Sequence, residues 1–246
     1  MTVGTVAAVL AIVLVATVIQ RVVGFGDALF AVPLLSFAVP FKSAVVIVLL
    51  IGTVTTVWLL VRCWSQVEWR TTRLLGAGTI VGLPVGVVIL SAVSAVALRL
   101  ALGVVVCIAA AWIIVSSRWL NRPAAANTSR TVALGVASGV LSTSLATNGP
   151  PLVYELRRTG LADDRFRATI SAAFMISNGI GILLLAAAGL ISVFDITLAA
   201  VSLLSCVIGI ALGSWICARM RTTHFVWVVD LLLLATGAIT IAKAVS

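Results

Sequence analysis

The chain has 246 residues, 62% hydrophobic and 9% charged, with a mean hydropathy of +1.28. A soluble domain carries about 45–50% apolar and about 25% charged residues, so a water-soluble globule is excluded because nothing would be left to cover its surface. The net charge of +9 would suggest nucleic acid in a soluble protein. Here the basic residues lie between apolar runs, as in the cytoplasmic loops of a membrane protein, and no nucleic-acid partner is called for.

The first apolar run, 3–19, has no basic stretch before it and is long for a signal peptide, so it is expected to stay in the mature protein. A short run, 24–39, carries Gly and Pro. Runs at 43–61, 71–90 and 95–115 follow, then a polar linker at 116–130 that contains NRPAAANTSR. The second half has runs at 131–141, 149–156, 168–191, 196–216 and 225–242. Between Arg130 and Arg157 two runs share 26 residues, where two full crossings would need about 40. Residues 131–156 therefore read as two half-helices meeting inside the membrane at LSTSLATNGPP. The run at 24–39 is a second candidate for a re-entrant or broken element. The expected class is an all-α, polytopic integral membrane protein: a single membrane domain, 1–246, with a first repeat at 1–116, a linker at 117–130 and a second repeat at 131–246.

Sidedness follows from charge. If each short pair returns to its starting side, twelve of the 16 Lys and Arg fall on one side and Lys42, Arg99 and Lys243 on the other, with Arg21 between the first two segments. The twelve-residue side is then cytoplasmic. This predicts a multi-pass protein of a bacterial-type inner membrane with the linker and Arg-rich loops inside and both termini outside. The halves also match. Gly82 and Gly86 parallel Gly209 and Gly213, residues 97–113 run against 224–240, and Pro33 parallels Pro151. The charge bias of corresponding loops is swapped between the halves, as inverted-topology repeats require. Such repeats are typical of secondary transporters, whose sites lie near the membrane midplane.

Two stretches carry candidate chemistry. One runs from Gln20 and Arg21 through Gly24, Gly26 and Asp27 to Pro33; the other runs from Ser142 to Pro151. Both interrupt apolar runs with helix breakers and hydrogen-bonding side chains, which is tolerated at depth only where the backbone is buried in protein or lines a cavity. Pro150 and Pro151 suit the first turn of a half-helix, with Asn148 as its expected N-cap. A half-helix N-terminus, with partial positive charge and unpaired N–H groups, is a ready anion site. Thr143, Ser144, Thr147, Asn148 and Gly149 are the candidate donors around it. The competing reading is that such small polar residues only glue helices together.

Arg21 is a candidate fixed charge for an anion, or it snorkels from the end of the first helix. Asp27 is a candidate partner of Arg21 or a proton carrier, and Asp230 is a second proton candidate. Glu155, Asp163 and Asp164 lie with four arginines and read as a solvated loop. His224 is the one histidine and sits at an interface. The four cysteines form no CxxC pair, so they read as buried small hydrophobes. No metal motif, cofactor motif or catalytic constellation is visible, so an enzyme is not expected.

VGFGDALFAVPLL near the start and GVLSTSLATNGPPLVYELRRTGLADDRFRATISAAFMISN after the linker resemble the two signature regions of the sulfite exporter TauE/SafE family. The resemblance runs nearly end to end. It implies a bacterial membrane transporter of sulfite, sulfonates or related organic anions, commonly an exporter. It also implies that Gly24, Gly26, Pro33, Asn148, Gly149, Pro150 and Pro151 line the pathway. One departure is Asp27, which stands where many members have a run of glycines. The expected function is a secondary transporter of a small anion in the lipid bilayer, working by alternating access between the repeats. A passive anion channel and an intramembrane enzyme or lipid-handling scaffold are the other classes.

Overall fold

The computed structural model describes residues 3–23, 25–119, 127–219, 236–237 and 239–240. The described residues form helices α1 (Val3–Val23), α2 (Asp27–Ala38), α3 (Phe41–Cys63), α4 (Trp69–Ala92), α5 (Ala95–Trp119), α6 (Thr128–Leu145), α7 (Gly149–Arg158), α8 (Asp163–Ala187) and α9 (Val193–Arg219). Among the described residues, five helical stretches are long and apolar enough to cross a membrane: Val3–Val22, Phe41–Gln66, Trp69–Ala92, Asp164–Ala187 and Val193–Ile216. No strand occurs among the described residues. The protein is a helical, multi-pass membrane protein. The expected last segment, 225–242, lies mostly outside the described residues, and so does Asp230.

The chain forms two compact units. One comprises Met1–Ile51, Val93–Ile114 and Ile191–Ser246; the other comprises Gly52–Ala92 and Val115–Leu190. Within the first unit α1 packs on α9. Leu198, Ser202, Cys206, Gly209 and Gly213 recur every three or four residues along α9 and are buried, which makes one helical face. That face is small, so the backbones approach closely. A Cβ on Gly209 would meet Leu14 and Thr17 of α1, and one on Gly213 would meet Val18 and Arg21. The other face of α9 presents Leu204, Val207 and Trp215 outward, as a lipid-facing surface requires.

The second unit repeats this logic with α4 on α6. Gly78, Gly82 and Gly86 of α4 face Gly135, Gly139 and the α6 backbone. A Cβ on Gly82 would collide with the carbonyl of Val136, and one on Gly139 with that of Thr79. Two side chains stitch the seam: Thr79 Oγ1 donates to the Gly135 carbonyl at 3.2 Å, and Thr143 Oγ1 donates to the Leu83 carbonyl at 2.7 Å.

Three local differences from the sequence reading have physical causes. First, α6 begins inside the polar linker, because the Asn127 side chain accepts the Arg130 N–H at 3.1 Å and caps it. With 18 residues α6 is about 27 Å long, so it is a long arm rather than a half-helix; the short arm is α7. Second, Asp163 and Asp164 do not lie in a loop but open α8, where negative charge suits the helix N-terminus. Third, Glu155 is not solvated. It lies on α7 with Leu152, Val153 and Leu156 at helical spacing on its buried face. Its carboxylate accepts from Arg130 Nε at 3.0 Å and from Thr131 Oγ1 at 2.5 Å.

Candidate functional site

The break between α6 and α7 occupies three residues, 146–148. Helix α6 ends with Ala146 in the left-handed region at φ 55°. The Ala146 N–H donates to the Ser142 carbonyl at 2.9 Å and the Thr147 N–H to the Leu141 carbonyl at 3.1 Å, so the last turn is closed by the chain folding back over it. The fold-back continues, since Ser138 Oγ donates to the Asn148 carbonyl at 3.0 Å. Ser138 is the eleventh of the 18 residues of α6. The head of α7 therefore lies level with the middle of α6, and α7 runs antiparallel beside its first half down to the Glu155–Arg130 ion pair.

Gly149, Pro150 and Pro151 form the first turn of α7. The prolines fit because the first-turn N–H groups have no helical partner. They also remove two donors, so Gly149 carries the one N–H among these three residues. Asn148 stands at the N-cap position, but its side chain makes no capping hydrogen bond. The expected Asn148 cap is thus corrected: Nδ2 instead donates to Ser177 Oγ at 3.1 Å and to Asn178 Oδ1 at 3.2 Å, both on α8. Ser177 Oγ donates in turn to Ser142 Oγ at 2.8 Å. Ser138, Ser142 and Ser177 are fully enclosed, and Thr147 is 1% exposed with no hydrogen-bond partner for Oγ1 among the described residues. A buried polar cluster thus surrounds a helix N-terminus at mid-length of α6.

Thr143 and Ser144 do not act as free donors here. Thr143 donates to Leu83 and Ser144 Oγ to the Val140 carbonyl at 2.6 Å, as glue residues do. Ser177, Asn178, Ser138 and Ser142 were not expected as site residues. The one sequence signal for Ser177 and Asn178 is a polar pair inside the apolar run at 168–191.

The other candidate stretch lies in the first unit. Gly24 is outside the described residues. Gly26 precedes α2 at φ 100°, a conformation that glycine adopts without strain. Asp27 opens α2 and lines a small recess with Val13, Ala16, Thr17, Ala31, Val48 and Ile51, which has about 10 Å³ of room for a water centre. That is space for about one water. Thr17 Oγ1 donates to the Val13 carbonyl and approaches Cys206 Sγ at 3.8 Å. Gln20 is half-buried near the end of α1. Arg21, in the last turn, donates from Nε to Ser214 Oγ of α9 at 3.0 Å. Pro33 lies inside α2, where it leaves the Leu29 carbonyl without its helical donor. The end of α2 is held by Arg99, whose Nη2 donates to the Ser36 carbonyl at 3.0 Å. A cation at a helix C-terminus is favourably placed.

A protein-family model, Sulfite exporter TauE/SafE, matches residues 9–240. No curated protein and no solved structure matches the chain.

Proposed function

Since the chain belongs to the sulfite exporter TauE/SafE family, a family of membrane transporters, we propose that it is a secondary transporter that exports a small oxyanion such as sulfite or a sulfonate. The observation that carries this reading is the α6–α7 break. It sets a helix N-terminus among buried polar side chains, one of which, Thr147, has a hydroxyl with no partner among the described residues. Neutral donors and a helix N-terminus together make an anion site. The membrane potential, negative inside, favours anion exit by about 2.3 kcal/mol per charge per 100 mV, so export needs no coupled ion. The Arg-rich loops face the cytoplasm in this reading.

Alternating access needs two related halves, and helix boundaries support them. The ends of α1 and α6 (Val23, Leu145), the starts of α2 and α7 (Asp27, Gly149) and the starts of α3 and α8 (Phe41, Asp163) are each 122 positions apart. The close-packed glycines agree. Gly82 meets Val136 as Gly209 meets Leu14, and Gly86 meets Val140 and Thr143 as Gly213 meets Val18 and Arg21; each pair of partners is again 122 apart. This register places Gly26 opposite Asn148 and sets Pro33 opposite Glu155 rather than Pro151. In an inverted repeat a contact between the first helix of one half and the fourth of the other recurs with the halves exchanged, and the α1–α9 and α4–α6 pairings have this relation.

The test is thermal stability of the purified protein against sulfite, sulfate, short sulfonates, carboxylates and chloride at matched ionic strength, followed by counterflow in proteoliposomes. A ligand that binds only the folded state raises Tm. A selective rise with one oxyanion, lost in Asn148→Ala, together with counterflow of that anion, is the expected result. Flux without counterflow would identify a channel, and no rise with any anion would overturn the anion assignment.

A further inference from the structure

We propose that Asn178 of α8, and not Asn148, presents the side-chain amide donors to the transported anion, and that Asn148 is its positioning residue. This rests on the reading of the α6–α7 break as the anion site. Asn148 Nδ2 has two hydrogens, and two acceptors lie within reach: Ser177 Oγ at 3.1 Å and Asn178 Oδ1 at 3.2 Å. With both hydrogens engaged, Asn148 has no donor left to offer, and its Oδ1 would repel an anion. The direction of the chain is consistent, since Ser177, having accepted from Asn148, passes its own hydrogen to Ser142.

The consequence falls on Asn178. Its Oδ1 is fixed on Asn148, so its Nδ2 must point away, carrying two hydrogens. No hydrogen bond to a described residue leaves that nitrogen, although Asn178 is only 7% exposed. The nitrogen is not one of the fully enclosed unpartnered atoms, so part of the small accessible surface of Asn178 lies on it, and its two hydrogens are held where an acceptor can reach them. Two further donors lie at the same helix head: the unpaired hydroxyl of Thr147 and the N–H of Gly149. The carboxylate on the same short helix, Glu155, is engaged by Arg130 and Thr131.

All these donors are neutral. Desolvating a doubly charged ion costs far more than desolvating a singly charged one, and these neutral donors recover less of that cost than a cation would. The arrangement therefore selects a singly charged oxyanion, such as a sulfonate, over a dianion such as sulfate.

The experiment titrates the full-length protein in detergent with methanesulfonate and with sulfate, reading Tm and deriving an apparent Kd. Methanesulfonate is expected to bind the unmodified protein more tightly than sulfate. Asn178→Ala should weaken methanesulfonate by about tenfold or more, as expected for loss of a hydrogen bond to a charged group. Asn178→Asp, which keeps the shape but replaces the donor by a carboxylate, should weaken it by about a hundredfold. Asn178→Ser serves as a third variant should either of these fail to fold. If methanesulfonate binds the unmodified protein, and binds the Asn178 variants equally well while Asn148→Ala loses it, this assignment is overturned and the site stands. If neither anion binds the unmodified protein, the anion reading of the break falls, and this assignment with it.

Discussion

Arg130 and Glu155 close the base of the α6–α7 hairpin, the guanidinium 3.0 Å from the carboxylate, with the glutamate side chain 2% exposed and the arginine 29% exposed. The two partners are not equivalent. Removing the glutamate leaves a cation that water can reach. Removing the arginine leaves a buried carboxylate with Thr131 as its remaining partner, which is the more damaging fault. Arg130→Met is therefore expected to lower Tm more than Glu155→Gln. The opposite order in a thermal melt would contradict the burial.

The α4–α6 seam predicts a sharp contrast among glycines. A methyl group at Gly82 or Gly139 would strike backbone atoms of the opposite helix, whereas one at Gly179 of α8 has nothing within 4 Å. Gly82→Ala and Gly139→Ala should each destabilise by about 1–3 kcal/mol, the usual cost of overpacking. Gly179→Ala should be neutral or stabilising by up to about 1 kcal/mol, because alanine is the better helix former. Unfolding in a denaturing detergent titration measures all three.

Glu68, just before α4, supplies a pH test outside the spanning segments. Burial alone would push its carboxyl up, but hydrogen bonds from Thr71 and the Arg165 charge outweigh this and hold it below its ordinary value of 4.5. The Thr71 N–H donates to Glu68 Oε2 at 2.6 Å. A depressed carboxyl stabilises the fold above the unfolded-state value, and that stability is lost as pH falls through the folded-state value. Glu68 is half-buried and still reached by water, so screening should keep the effect below about 1 kcal/mol. Tm should fall less steeply below pH 5 in Glu68→Gln than in the unmodified protein; parallel curves would count against the contact.

Asp27 tests whether the recess in the first unit takes part in anion binding. It lines a recess with room for about one water, and such a site holds a proton more readily than an oxyanion. Asp27→Asn should leave equilibrium anion binding and anion export intact, as uncoupled export requires. Loss of binding would instead place Asp27 in the anion site, and a changed response of flux to an imposed pH gradient would contradict uncoupled export.

What the sequence disclosed follows from how local each signal is. Glycine and proline act on their own backbone, so the break at Gly149–Pro151 and the short helix after it were legible. The paired glycine spacings were legible for the same reason. Glu155 was misread because Arg157 and Arg158 beside it suggest a loop, although Leu152, Val153 and Leu156 at helical spacing put it on a buried face. Ser177 and Asn178 gave little signal because α8 does not break around them. Their role arises from where the chain folds back, a long-range fact. Asn148 holds the expected N-cap position but makes no capping bond, because propensity describes an isolated helix end, while here the packing of α8 offers the amide other partners.

The sequence contains two Asn-Gly steps, Asn148–Gly149 and Asn178–Gly179, and they begin with the two asparagines that touch. Labelling asparagine with ¹³C at the carbonyl and glycine with ¹⁵N would therefore light up two backbone resonances in the whole spectrum. Gly179 sits inside α8, where its amide is held by the helix. Gly149 sits in the first turn of α7, where its amide has no helical partner. One peak should move when the protein is loaded and the other should report whether the helix beside it has stayed still.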